Sequence, residues 1–559
     1  MLAAIAIKIE VVAVSRLSRR LLTVMMVAMM AILAFAVSPE TVRAADAGVI
    51  TISGDVATQY DAYQLFSATV ADKAGSDQKV ATDLAWANDA VCQAVLPVLH
   101  DAGLDSSAST AQAAAEWMNA DGHMTTTLAA KLARAIYNAG APSVALNAGT
   151  AAELPCGYWL IVADDAIAQG EAGTAPIMAL VGGSAVTVKP KAATPKVSKH
   201  VLEDSAAAWQ KAADATVADD LYWRLSATVP AGLTAYDTYT VQFVDTMSVG
   251  LDPSKVATSM RMYVAAGADG GFDVVACEGG NVSSTPAKGW TDISSRCKVT
   301  VKGNAFTVRT GDLIAALGGA DAFTSGARVV AVYNAPLGAN CNRGATKGNP
   351  NEVFLRYPRS PLADQSGDAG FTRTPSDDAC AYTWGLSLIK RSSSDDEPLA
   401  GAKLRIIDDR GRILTTDGSW STDAGACVTT GADGHVELNG VDAGVYTVEE
   451  VAAPKGYTAF EGKRAVTVTA EGLDVKQVAA AKPEVTVSAE SSLRVDAADA
   501  GTGSIELSVL NTPSKEASRG FMPSTGDRTL VLVAVLAAIG VAAIVVALVI
   551  KRGAGRGEK

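Results

Sequence analysis

Cysteine and histidine are scarce in this chain. There are seven Cys in 559 residues, and the four His (His100, His123, His200 and His435) are scattered. No Cys-x-x-Cys occurs, which argues against a structural or catalytic zinc site. Basic residues are outnumbered, 47 Lys and Arg against 59 Asp and Glu, for a formal net charge of −12. An acidic surface of this kind excludes nucleic acid as a partner class. There is no Gly-x-Ser-x-Gly, no phosphate-cradling loop and no His-based nucleophile pair, so the sequence offers no conventional enzyme and implies no cofactor.

Long apolar runs mark both ends. Arg16, Arg19 and Arg20 precede Leu21 to Val37, and Val42-Arg43-Ala44 supplies a small-x-small cleavage site. This predicts a secretory signal peptide over residues 1–45. At the other end, the run from Leu530 to Ile550 is followed by Lys551 and Arg552. It is long enough to cross the roughly 30 Å hydrocarbon core as a transmembrane helix, and the basic residues keep the tail cytoplasmic. Just before it stands Met522-Pro523-Ser524-Thr525-Gly526. That string, span and basic tail resemble the sorting signal of Gram-positive cell-wall proteins, with Met522 in place of the usual Leu. The resemblance implies cleavage by a sortase between Thr525 and Gly526 and transfer of the Thr carbonyl to an amine. A plain C-terminal anchor needs no Pro-x-Thr-Gly. Export permits disulfides; pairing within domains suggests Cys92–Cys156, Cys277–Cys297 and Cys341–Cys380, with Cys427 left over.

Between the ends the chain reads as mainly β. Residues 46–190 open on a strand, Val49-Ile50-Thr51-Ile52, and carry two Ala-rich stretches of helical spacing, Asp83 to Ala102 and Thr110 to Ala139. Residues 191–376 and 377–513 alternate apolar and polar residues over short runs separated by turns. The pattern predicts tandem β-sandwiches, the first domain with helical insertions. Residues 514–559 hold the spacer, sorting signal, span and tail.

Residues i and i+2 of a strand share a face. In the third domain Leu386, Leu388 and Lys390 are in phase, as are Tyr446, Val448 and Glu450, and Ile505, Leu507, Val509 and Asn511. Three apolar stripes thus end in an amine, a carboxyl and a carboxamide. Burial lowers a Lys pKa and raises a Glu pKa. A neutral Lys390 could attack the Asn511 carbonyl with Glu450 polarising it, releasing ammonia and leaving an isopeptide bond.

The segment Tyr446 to Tyr457, with Glu450, Pro454 and Gly456, resembles the E-box of collagen-adhesin B-type domains in Gram-positive pilins. Leu386 to Lys390 is similar to their lysine strand and Val509 to Pro513 to their asparagine strand. Gly173 to Gly183, Asp245 to Leu251 and Gly348 to Tyr357 resemble a backbone pilin of the fimbrial isopeptide-forming family. The resemblance implies immunoglobulin-like domains. It also gives Lys199 and Asp245 the amine and acid roles in the middle domain. There the family's asparagine follows the Leu-x-Tyr strand, where this chain has Tyr357-Pro358-Arg359-Ser360-Pro361. No carboxamide stands there, and Asn349 and Asn351 lie upstream. The expectation is a remnant site in which Arg359 pairs with Asp245 and disulfides replace part of the lost staple. The first domain's opening strand has no Lys, so no such bond is expected there.

Val186-Thr187-Val188-Lys189-Pro190-Lys191 resembles the pilin motif and implies Lys191 as the amine that joins subunits. The whole implies a structural subunit of a sortase-assembled pilus, secreted, inserted transiently in the membrane and then anchored to the cell wall. Its implied partners are the sortase, identical subunits, peptidoglycan and host surface molecules. The competing expectation is a wall-anchored adhesin or minor pilin that binds host matrix or glycan.

Overall fold

The structure is a computed structural model. It describes residues 46–514, apart from 55–57, 165–173, 191–193, 232, 268–272 and 279–280. The expected signal peptide, Lys191, the Met522 to Gly526 string and the expected membrane helix lie outside the described residues.

The N-terminal part sets two sheets and three helices around two cores. The long strand Gln59–Asp72 pairs with Lys79–Trp86, Val144–Asn147 and Gly157–Ala163. A three-stranded sheet places Ala47–Ile52 between Ala151–Pro155 and Val186–Val188. The helices are Asp89–Asp101, Ala111–Asn119 and Thr126–Asn138. Each starts on a side-chain cap: Asn88 accepts from Val91 N at 2.9 Å, Thr110 from Ala113 N at 3.2 Å and Thr125 from Leu128 N at 3.1 Å. Such caps satisfy N–H groups that the helix leaves unpaired. Leu128, Leu132 and Ile136 recur on one buried face of the third helix. Two sequence expectations are corrected. Residues 83–86 finish a strand rather than begin a helix, and the second Ala-rich stretch is two helices, interrupted at Asp121-Gly122, where Gly122 has φ of +82°.

The middle part is a sandwich. One sheet carries Val197–Glu203, Tyr222–Thr228, Arg328–Asn334 and Arg261–Ala265; the other carries Asn349–Pro358, Gln242–Met247 and Ala305–Arg309. Trp223, Leu225, Phe243, Phe306, Tyr333, Leu355 and Tyr357 fill the space between. The strand Asp377–Tyr382 pairs with Asn349 to Val353 in this second sheet. The expected boundary at 376 therefore falls just ahead of a strand that hydrogen-bonds into the middle sandwich.

The last part is a second sandwich. Trp384–Ser392 lies between His435–Val441 and Ser504–Pro513, parallel to the latter. The facing sheet is built on Lys403–Ile407, Gly444–Ala452 and Lys463–Glu471. The two sandwiches meet at a polar junction. Arg412 grips Asp219 with two bonds of 2.7 Å, and Trp384 Nε1 donates to Asp214 at 2.7 Å.

The seven cysteines are free thiols in this structure, so the expected pairs Cys92–Cys156, Cys277–Cys297 and Cys341–Cys380 are not formed in it. Cys297 and Cys341 pack on the middle core, Cys380 joins the core of the last sandwich, and Cys277 lies beside Trp209 and Arg224. Cys156 packs in the core beneath the helices, next to Val70 and Gly182, while Cys92 rides on the first helix.

Gly157 has φ of +143°, and a Cβ there would overlap the Phe66 carbonyl oxygen. Gly157→Ala is expected to destabilise the N-terminal part by about 1–3 kcal/mol. Gly140→Ala, with nothing within 4 Å, bears only the left-handed backbone strain. Urea unfolding of the two variants checks the order, and equal losses would contradict the close approach.

Candidate functional site

Alternation along the strand Trp384–Ser392 turns Leu386, Leu388 and Lys390 into the core, and all three are fully buried. The neighbouring strand brings Asn511 opposite Ser392, two residues from the Lys390–Val509 pair, so the two side chains meet diagonally. The facing sheet contributes Glu450. Lys390 Nζ donates to Asn511 Oδ1. Asn511 Nδ2 donates to Glu450 Oε1 at 2.8 Å, and that same oxygen lies 3.3 Å from Lys390 Nζ. The other carboxyl oxygen accepts from Phe460 N at 3.0 Å. The Phe460 ring stands 5.3 Å from Nζ and helps keep the site dry. Burial pulls the Lys390 amine down to about 8, against the opposing pull of Glu450. The sequence thus named all three members of this cluster, and the fold brings them together.

The middle sandwich holds a second cluster with different membership. Lys199 and Asp245 are fully buried and form an ion pair from opposite sheets. Arg359 does not join them: its N–H donates to Gly370 O at 3.0 Å and its guanidinium approaches Phe371 O, beyond the end of the strand. The expected Arg359–Asp245 pair is therefore corrected. In its place stands Asn351, also fully buried, whose Nδ2 donates to the Tyr333 hydroxyl at 2.9 Å. Lys199 Nζ donates to the same hydroxyl at 3.0 Å, and that hydroxyl donates to Asp245 Oδ2 at 3.1 Å. A tyrosine oxygen accepting two bonds and donating one uses its full capacity.

The sequence reading passed over Asn351 because it sought the carboxamide after Tyr357. The signal that could have found it was present: Asn351, Val353, Leu355 and Tyr357 are in phase, and all four are buried. Asn349 is buried too, but its side chain is occupied by Asn342 and the Ala381 carbonyl. Burial lowers Lys199 to about 8 and raises Asp245. Asp245 Oδ1 and Asn351 Oδ1 have no hydrogen-bond partner among the described residues. Each cluster thus has an amine, a carboxyl and a carboxamide in a dry setting.

Removing the carboxyl from the first cluster strands the buried Lys390 amine. Glu450→Ala is expected to cost about 3–5 kcal/mol in the last sandwich, read by chemical denaturation. A loss below about 0.5 kcal/mol, the usual size for a surface change, would contradict the buried network.

A stretch of 120 residues is 28% identical to the trypsin-resistant surface T6 protein of Streptococcus pyogenes serotype M6, covering 20% of each chain. The chain thus spans about a fifth of the length of that curated relative. Among solved structures, the T6 backbone pilin of serotype M6 S. pyogenes aligns over 84% of this chain and 99% of its own, with 16% identity and a TM-score of 0.47. The full-length major pilin SpaD of Corynebacterium diphtheriae aligns over 84% and 98%, with 15% identity and a TM-score of 0.42. Residues 385–482 match the model of the SpaA prealbumin-like fold domain. The matched segment carries Lys390 and Glu450, and it is similar to the SpaA prealbumin-like fold domain.

Proposed function

We propose that this chain is a structural subunit of a covalently polymerised surface pilus, and that its sandwiches are locked by autocatalytic isopeptide bonds. The observation that carries the reading is the dry meeting of Lys390, Glu450 and Asn511 at the joint of the first and last strands. Three polar groups buried together without a bond would be a net cost to the fold.

In the last sandwich the neutral Lys390 amine attacks Asn511 Cγ. The C–Nδ2 bond breaks and ammonia leaves. Glu450 Oε1, within reach of both nitrogens, takes the proton from Nζ and gives one to Nδ2. In the middle sandwich the corresponding bond joins Lys199 to Asn351, with Asp245 as the acid. No external substrate is turned over, so the chemistry is not that of an enzyme.

Between subunits, the sortase would cut after Thr525 and pass the acyl group to Lys191 of another copy, or to peptidoglycan for the last subunit. The strand before that lysine is well anchored: Val186–Val188 pairs with Ile50–Ile52, and Ser53 donates twice to Val188 O. Lys189, which follows it directly, is exposed.

Two outcomes test the reading. Denaturing gels of wall extracts should show high-mass ladders that Lys191→Arg abolishes; ladders that persist would move the role to another lysine, and their absence from the wild type would refute polymerisation. In protein refolded from denaturant, amide formation should speed up as pH rises and level off above about 8. The reactive form is the free amine, and it grows as pH passes the lowered pKa of Lys390 and Lys199. A rate flat from pH 6 to 10, roughly 2 units either side of an amine near 8, would contradict the buried-amine mechanism.

A further inference from the structure

The two clusters differ in one respect. At Asn511 the carboxyl touches the nitrogen that must leave, at 2.8 Å. At Asn351 the Tyr333 hydroxyl touches it, at 2.9 Å, and Asp245 reaches that hydroxyl in turn. We propose that Tyr333 is a catalytic residue of the middle sandwich, the general acid that hands a proton to the ammonia leaving Asn351. This role rests on the proposed Lys199–Asn351 bond.

Geometry defines the circuit. Lys199 Nζ contacts Asp245 Oδ2, the same oxygen accepts from the Tyr333 hydroxyl, and the hydroxyl contacts Asn351 Nδ2. As the Nζ–Cγ bond forms, Nζ gives a proton to Asp245 Oδ2. As the Cγ–Nδ2 bond breaks, Tyr333 gives its proton to Nδ2 and is reprotonated from Oδ2. One amide forms, one ammonia leaves, and Asp245 and Tyr333 end as they began. The orphaned Asn351 Oδ1 is the oxygen on which charge develops, and Asp245 Oδ1 is the unpaired oxygen on the acid.

Packing holds the hydroxyl in place. Tyr333 is fully buried, its ring meets Phe306 edge-on at 4.8 Å, and Lys199 Nζ lies 5.6 Å from the ring centroid. Tyr333→Phe keeps these contacts and removes only the hydroxyl. The last sandwich of the same molecule is an internal control, because its carboxyl acts on the leaving nitrogen directly.

The experiment follows both crosslinked peptides by mass spectrometry during refolding of the full mature chain. In Tyr333→Phe the Lys199–Asn351 peptide should form about 100-fold more slowly or not at all, the usual scale for a lost general acid. The Lys390–Asn511 peptide should form at the wild-type rate. Formation of the middle bond at the wild-type rate in Tyr333→Phe overturns the role of Tyr333 alone. Absence of the middle bond from the wild type overturns the bond and, with it, the role. Should Tyr333→Phe fail to fold, fluorotyrosine at position 333 keeps the shape and acidifies the hydroxyl. A several-fold change in the middle rate then supports the role, and an unchanged rate overturns it.

Discussion

Burying an amine is the constraint on which both sandwiches depend. A lysine sealed in an apolar core loses hydration that no single partner restores. Both Lys199 and Lys390 are fully buried, and in both places the fold supplies a carboxyl from the facing sheet. Asn511 contacts Lys390 directly, and Asn351 is linked to Lys199 through the Tyr333 hydroxyl. Desolvation then moves the amine toward its neutral, nucleophilic form. The same burial that strains the unreacted fold prepares the reaction that would relieve it.

The two sites use that principle on different joints. Lys390 and Asn511 sit on adjacent parallel strands of one sheet, the first and last of their sandwich. Lys199 and Asn351 come from opposite sheets of the middle sandwich. On the proposed reading, tension would pass from the entering strand at Lys199 to Asn351, then through Asp377–Tyr382 into Trp384–Ser392, and out through Asn511. The long stretches between the bonded residues would carry little load. The junction between the sandwiches lies on this route and is held by Trp384 on Asp214 and by the paired Arg412 and Asp219.

Much of this was legible in the sequence, because strand alternation has a period of two and needs no tertiary information. Lys390, Glu450 and Asn511 each end an apolar stripe, and each stripe faces the core. Asn351 obeyed the same rule but was passed over in favour of a position fixed by resemblance, and Arg359 proved to lie past the end of the strand. Tyr333 was hidden for another reason: a buried tyrosine in a strand looks like ordinary packing until the partners of its hydroxyl are known. The helical stretches were legible as composition, while their break at Gly122 depended on a left-handed turn. That the strand 377–382 pairs with Asn349 to Val353 was not legible, because pairing between strands distant in sequence leaves no local trace. Cysteine positions gave no geometry.

The central claim is that buried side chains close amide bonds in both sandwiches, and the intact mass of the mature protein tests it most directly. The account predicts a mass lower than the sequence mass by two ammonia molecules, restored by one in Asn511→Ala and by one in Asn351→Ala after allowing for the substitution. A mass equal to that of the unmodified sequence would contradict it.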